Sequence, residues 1–321
     1  MKLLKIIGAA TLVVSAMTGA SWAQYPEKAI TIIVPWAAGG GTDAAARIVG
    51  SLLEKNLGQP VQVVNRTGGN GVVGHAAIAT ARPDGYTLGL ITTEINMMHW
   101  MGLTDLTYEA YAPLAMINED PAAVIVSAEA GWTTLEEMIE DIRANPGKFK
   151  GTGTGLGGSW HLALAGLLNK VEVPSDAMPW IPSKGASTGL LDVVAGGADV
   201  APVSLPEAAS LLEAGKLKTL AIMSGERAKN FPDIPTVEET MGIAWSQGVW
   251  RGMVTPKGVD EEILSTLEAA LEKVYNDPEY VEFMESRGFG LRWMDGPTFG
   301  AFLGESNSEL GEVLKAIGLA K

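Results

Sequence analysis

Residues 25–47 read YPEKAITIIVPWAAGGGTDAAAR. Ile30-Thr31-Ile32-Ile33-Val34 is a β-rich apolar run ended by Pro35, the mark of a buried strand. From Thr42 to Asn56 the pattern is helical, with Ala46, Val49, Leu52 and Leu53 on one face and Gly58 as stop signal. Trp36, Ala37, Ala38, Gly39, Gly40, Gly41, Thr42 and Asp43 join the two. Successive glycines let the backbone turn tightly with its N–H groups outward and no Cβ in the way. Thr42 or Asp43 is placed to cap the helix, whose N-terminus carries about half a positive charge. Such a turn can hold a carboxylate or phosphate, and it can equally be only a tight strand-to-helix connection. It is not a Walker loop, because no Gly-Lys-Ser/Thr follows.

Outward from this segment, the chain predicts a strand over Val61–Val64, a helix over Gly71–Ala81 and a strand over Tyr86–Ile91. A βαβαβ order implies a parallel sheet covered by helices. A second series begins near Ala122: strand 124–126, helix 135–144 capped by Thr133 or Thr134, strand 149–153 and helix 159–169. It continues with strand 178–181, helix 187–195 and strands 199–203, 219–223 and 249–254, before helices over 260–275, 278–287 and 298–317. Pro- and Gly-bearing crossings lie near 119–121 and 247–252. The expectation is an α/β protein of two lobes, each a mostly parallel sheet flanked by helices: residues 24–120 with 250–321, and residues 121–249.

The second Gly-rich turn is Gly151-Thr152-Gly153-Thr154-Gly155-Leu156-Gly157-Gly158-Ser159. Gly153, Gly155 and Gly158 satisfy GxGxxG, but the fingerprint belongs on the first turn of its unit, with an acidic ribose ligand about 20 residues on. Only Glu172 or Asp176 could serve, and neither clearly ends a strand. We read it as a second anion-holding turn, with Ser159 capping its helix, His161 helping to orient it, and the first turn facing it across a cleft. Asn65–Gly71 is a third polar turn, either a surface loop or part of the pocket. Lys184 and Gly185 lie in a loop where a lysine is usually solvated, and Arg251, at the second crossing, offers a planar fork for carboxylate. Trp36, Trp160 and Trp250 adjoin candidate loops as pocket walls or as core. His75, His99 and His161 show no metal-ligand spacing, and there is no persuasive Ser–His–Asp set.

The chain has 321 residues, 47% of them hydrophobic and 19% charged, which excludes wholesale disorder. Its 23 basic and 37 acidic residues make nucleic-acid binding a poor fit, and the lack of Cys removes disulfides, thiolate metal sites and cysteine catalysis. Residues 1–23 read as a cleaved signal peptide, with Lys2 and Lys5, an apolar run from Ile6 to Met17, and Ser21-Trp22-Ala23 at the cleavage site. The run is short for a membrane span, although an uncleaved anchor is the alternative. Export suits a bacterial periplasmic protein, whose mature chain would carry 21 basic and 37 acidic residues. That balance slightly opposes anion capture at long range, which screening over about 8 Å makes tolerable.

Several segments together resemble the extracytoplasmic receptors of tripartite tricarboxylate transporters, the Bug-type solute-binding proteins. They are 25–47, NRTGGNGVVGHAAIATARPDGYTLG (65–89), GTGTGLGGSWHLA (151–163), IPSKGA (181–186), LLDVVAGGADV (190–200), AGKLKTLAIMSGERAKNFPDIPTVEE (214–239) and WRGMVTPKG (250–258). The resemblance covers residues 25–321 and implies a type II periplasmic-binding-protein fold with a ligand cleft between two α/β lobes. It further implies that a ligand carboxylate is gripped by backbone groups of two loops, one per lobe, partly through waters. Those loops match Ala37–Asp43 and Thr154–His161 here, the second including Gly155, Gly157, Gly158 and Ser159. Where many members carry an acidic residue this chain has Val203, followed by Ser204, which argues against a ligand amine. Ser183 stands where Tyr is common, and Arg251 in WRG fits members similar to tricarboxylate receptors, hence a second ligand carboxylate.

The expected function is a monomeric receptor that closes on a small di- or tricarboxylate and delivers it to a membrane permease, with no cofactor, metal or reaction. The alternatives are a periplasmic hydrolase or dehydrogenase using the glycine turns, and a ligand-sensing partner of a two-component sensor.

Overall fold

A computed structural model describes residues 25–321; the expected signal peptide, 1–23, lies outside the described residues. Strands β1 (Ile30–Val34), β2 (Val61–Asn65) and β3 (Thr87–Thr92) pair in parallel, with Ile32 opposite both Val63 and Leu88. Central β1 is buried nearly throughout, whereas edge strand β2 alternates half-buried and exposed residues, as successive side chains point to opposite faces and one of those faces is open to solvent. Helices α1 (Gly41–Leu57) and α2 (Val72–Ala79) cross between them. Strands β4 (Tyr111–Pro121), β10 (Gly248–Pro256) and β11 (Leu291–Asp295) extend this sheet antiparallel, in the order β11-β4-β10-β3-β1-β2.

The second sheet has the order β7-β6-β8-β5-β9, from β5 (Ala123–Ser127), β6 (Gly151–Thr152), β7 (Trp180–Ile181), β8 (Val200–Ala201) and β9 (Leu217–Ile222). Here β5 runs antiparallel to both neighbours, while β6 pairs in parallel with β7 and β8. The two-lobed α/β architecture holds, with mixed sheets rather than mostly parallel ones. Around this sheet lie α3 (Leu135–Ala144), α4 (Ser159–Lys170), α5 (Ala186–Val194), α6 (Leu205–Glu213) and α7 (Val237–Met241). Thr134 caps α3 in a capping box with Glu137. Helices α8 (Glu261–Tyr275), α9 (Pro278–Ser286) and α10 (Gly296–Ala316) return to the first lobe, where Leu267, Leu271 and Tyr280 join its core.

The sequence reading missed β4, β11, α6 and α7. Pro113, Asn118, Glu119 and Asp120 disguise β4, although Asn118 and Asp120 are buried. The chain leaves the first sheet after Pro121 and returns at Gly248, and the crossings are tied by Ala122 N–H to Gln247 O (2.8 Å) and Gln247 N–H to Met223 O (3.1 Å). They lie so close that a Cβ on Gly248 would sit 2.2 Å from Asp120 O. Leu162 of α4 packs with Met97, Met101 and with Leu310 and Leu314 of α10, an apolar seam between the lobes.

Candidate functional site

The first glycine turn follows β1 and opens α1. Asp43 does not cap the helix, whose N-cap is Gly40; it braces the loop instead. Its buried carboxylate accepts from Gly39 N–H (2.9 Å), from Arg47 Nε and Nη2 (2.9 Å each) and from Asn65 Nδ2 (2.9 Å). Burial acts to raise this carboxyl's pKa, and those hydrogen bonds outweigh it, holding the group below its ordinary value. Asn65 also donates to Trp36 O (3.0 Å), so the third polar turn begins as a strut for the first. Trp36 Nε1 donates to Thr92 Oγ1 (3.0 Å), which donates to Glu94 Oε2 (2.5 Å). Thr92 N–H in turn donates to His75 Nε2 (3.3 Å), while His75 Nδ1 lies 2.9 Å from Gly71 O. A neutral imidazole protonated at Nδ1 satisfies both contacts, and full burial keeps it neutral by lowering its pKa.

The second turn opens α4. Its N-cap is Gly158, and Ser159 stands one position inside rather than capping with its hydroxyl. Gly157 N–H donates to His161 Nδ1 (2.9 Å), and burial pulls His161 down to about 4. Ser159 N–H donates to Glu94 Oε1 of the other lobe (3.1 Å). The glycines here make room for the opposite lobe: a Cβ would meet Asn70 Oδ1 at 2.7 Å from Gly155 and Met101 Sδ at 2.0 Å from Gly157. Asn70 Nδ2 also donates to Leu156 O (3.2 Å).

Arg251 projects from β10 between these loops and is fully buried. Its Nε donates to Thr42 Oγ1 (3.1 Å), its Nη1 to Asn118 and Asp120, and its Nη2 to Glu207 Oε1 (3.4 Å). The expected open fork is therefore engaged by two internal carboxylates. Glu207 is also held by Gly41 N–H (3.2 Å) on Oε1 and by Ser204 O–H (3.0 Å) on Oε2. Burial pushes its pKa up, opposed by Arg251 and reinforced by Asp120.

The profile of the tripartite tricarboxylate transporter family receptor matches residues 45–319. The chain belongs to that receptor family. Protein BugT of Bordetella pertussis is 29% identical over 292 residues, covering 89% of this chain and 88% of its own. A TctC solute-binding protein from Polaromonas is 35% identical, covering 91% of this chain and 99% of its own, with a TM-score of 0.66. The periplasmic binding protein BugD is 26% identical, covering 92% and 100%, with a TM-score of 0.87. Such solute-binding proteins are not enzymes, and this chain is a solute-binding protein of the same family, which sets the hydrolase and dehydrogenase readings aside.

The receptor's interlobe cavity is lined by Trp36, Ala37, Gly40, Gly41, Thr42, Thr154, Trp160, Gly185 and Arg251, all singled out from sequence. Ala38, Gly39, Asp43, Gly155, Gly157, Gly158, Ser159 and His161 stand behind or beside it, shaping the two loops. Lys184 is exposed, Val203 lies in the second lobe's core, and Ser204 is the N-cap of α6; none of the three lines the cavity. Lining residues the sequence reading missed are Thr92, Glu94, Ala186, Ser187, Glu207 and Val249. Two signals could have found the acidic pair. Ser204-Leu205-Pro206-Glu207 is a capping-box pattern, and Glu94 lies in the turn just after β3, the end at which α/β sheets bind ligands. Val203 itself brings no acid to the cavity, and Glu207, four residues later, does.

The cavity is small, about 20 Å³, room for roughly one water. A larger pocket of about 520 Å³ lies against β10 and α10, but Glu119, Asp120 and Glu309 line it, which ill suits an anion. Among the described residues no metal-ligating cluster occurs, and no helix is long and apolar enough to cross a membrane.

Proposed function

We propose that this receptor captures a small di- or tricarboxylate between its lobes and delivers it to a membrane permease. The observation that carries the reading is the meeting of two helix N-termini, of α1 from one lobe and α4 from the other, with N–H groups that already bind carboxylates. Helix-terminal N–H groups stabilise an anion without a fixed counter-charge, and bridging waters extend their reach. The ligand would meet both lobes only when they close, so binding shifts the population toward closure. Trp36 and Trp160 would wall the ligand's apolar stem. Residues 24–120 with 250–321 would move as one lobe and 121–249 as the other, pivoting on the crossings at Ala122 and Gln247. Residues 1–23 would direct the monomer to the periplasm.

The test is thermal shift of residues 24–321 against citrate, isocitrate, malate, succinate, adipate, benzoate, glutamate and NAD. A ligand at 100 times its dissociation constant adds about 2.7 kcal/mol. A rise with one polycarboxylate is expected; silence across all carboxylates at millimolar concentration would overturn the reading.

A further inference from the structure

Each of the two helix N-termini facing the cleft is already capped by a carboxylate, and each carboxylate comes from the opposite lobe. Glu207, on α6 of the second lobe, accepts from Gly41 N–H of the first at 3.2 Å. Glu94, after β3 of the first lobe, accepts from Ser159 N–H of the second at 3.1 Å. We propose that Glu207 is a resident occupant of the receptor's own anion site, and that a ligand carboxylate binds by displacing it from Gly41 and Arg251. The proposal rests on the carboxylate reading above.

Three features single out Glu207 rather than Glu94. Its contacts across the lobe boundary are 3.2 Å to Gly41 and 3.4 Å to Arg251, against 3.1 Å from Glu94 to Ser159. Within its own lobe it is held by Ser204 at 3.0 Å, where Glu94 is clamped by Thr92 at 2.5 Å. It has somewhere to go, because Oε2 stays with Ser204 O–H (3.0 Å) and Ser204 N–H (3.4 Å) while Oε1 is released. Its burial beside Asp120 also opposes its charge, which weakens its hold on the two donors. Once displaced, it frees one backbone N–H and one guanidinium nitrogen that converge on a single point, the pair a carboxylate accepts from best. Arg251 becomes a ligand residue only at that step, and the small cavity gains the space that Oε1 vacates. Discrimination follows: a neutral solute cannot compete for charge-assisted donors, so Glu207 sets a threshold that only anions pass.

The test uses Glu207→Gln and Glu207→Asp, the second keeping the charge while drawing the carboxylate back by one methylene. Citrate, malate and adipate are each titrated calorimetrically into both variants and the parent. In parallel, the interlobe distance is measured by spin labels at V73C and L191C, exposed positions on opposite lobes of a chain without native cysteine. Both variants should bind the recognised carboxylate about tenfold more tightly, with longer interlobe distances than the parent when no ligand is added. Unchanged or weaker binding overturns the proposal and leaves the receptor reading standing. If none of the three carboxylates binds the parent, the distances decide: unchanged distances in both variants overturn it. A Glu207→Gln variant that fails to fold leaves Glu207→Asp to decide by the same two readouts.

Discussion

Arg251→Met separates a guanidinium that holds the fold from one kept open for ligand. The substitution removes the donors to Thr42, Asn118, Asp120 and Glu207 and leaves two carboxylates facing an apolar side chain in a fully buried place. Removing one partner of a buried ion pair costs about 3–5 kcal/mol. Both carboxylates keep other donors, Asp120 from Asn118 Nδ2 (3.1 Å) and Gly290 N–H (2.8 Å), Glu207 from Ser204 O–H (3.0 Å). The lower end, about 3 kcal/mol, is therefore expected, and at about 2 °C per kcal/mol for a chain of this size Tm drops by about 6 °C. Calorimetric melts of parent and variant at pH 7 and pH 5 are the assay. Without Arg251 the raised Glu207 pKa rises further, so protonation stabilises the variant's folded state as pH falls, and the deficit should narrow at pH 5. A Tm within about 2 °C of the parent at pH 7, or a deficit equal at both pH values, would refute the reasoning and restore Arg251 as an open ligand fork.

Gly157→Ala puts a Cβ 2.0 Å from Met101 Sδ across the lobe boundary, at a backbone φ of +77°. Ligand affinity should fall about tenfold with each lobe intact; calorimetric titration and small-angle scattering check it, and a parent-like affinity would show the lobes need not approach there. His161, held near 4 in the fold, binds its proton at higher pH when unfolded. Its contribution to stability is therefore complete above the unfolded pKa and lost as pH falls, a decline of about 3 kcal/mol from about pH 6.5 to 4. Denaturant titrations across that window should show His161→Gln flattening the decline, whereas an equal slope in the variant counts against the assignment.

Much of the fold, and half of the site, is written locally. Ile30–Val34, the glycine turn at 39–41 and helix 135–144 follow from apolar period, Cβ-free turns and a capping threonine, and the structure has them where periodicity puts them. Trp36, Thr42, Thr154 and Gly185 at the cavity were legible for the same reason, since strand-to-helix turns expose backbone donors. What occupies those donors could not be read along the chain. Glu207 lies 166 residues from Gly41, and Glu94 65 from Ser159, so no local pattern joins either pair. Sheet order did the same for Arg251: pairing β10 beside β4 sets it against Asn118 and Asp120, and a residue that reads as an open fork becomes a buried counter-ion. Local sequence fixes where hydrogen-bonding groups point, and long-range packing fixes which of them have a partner.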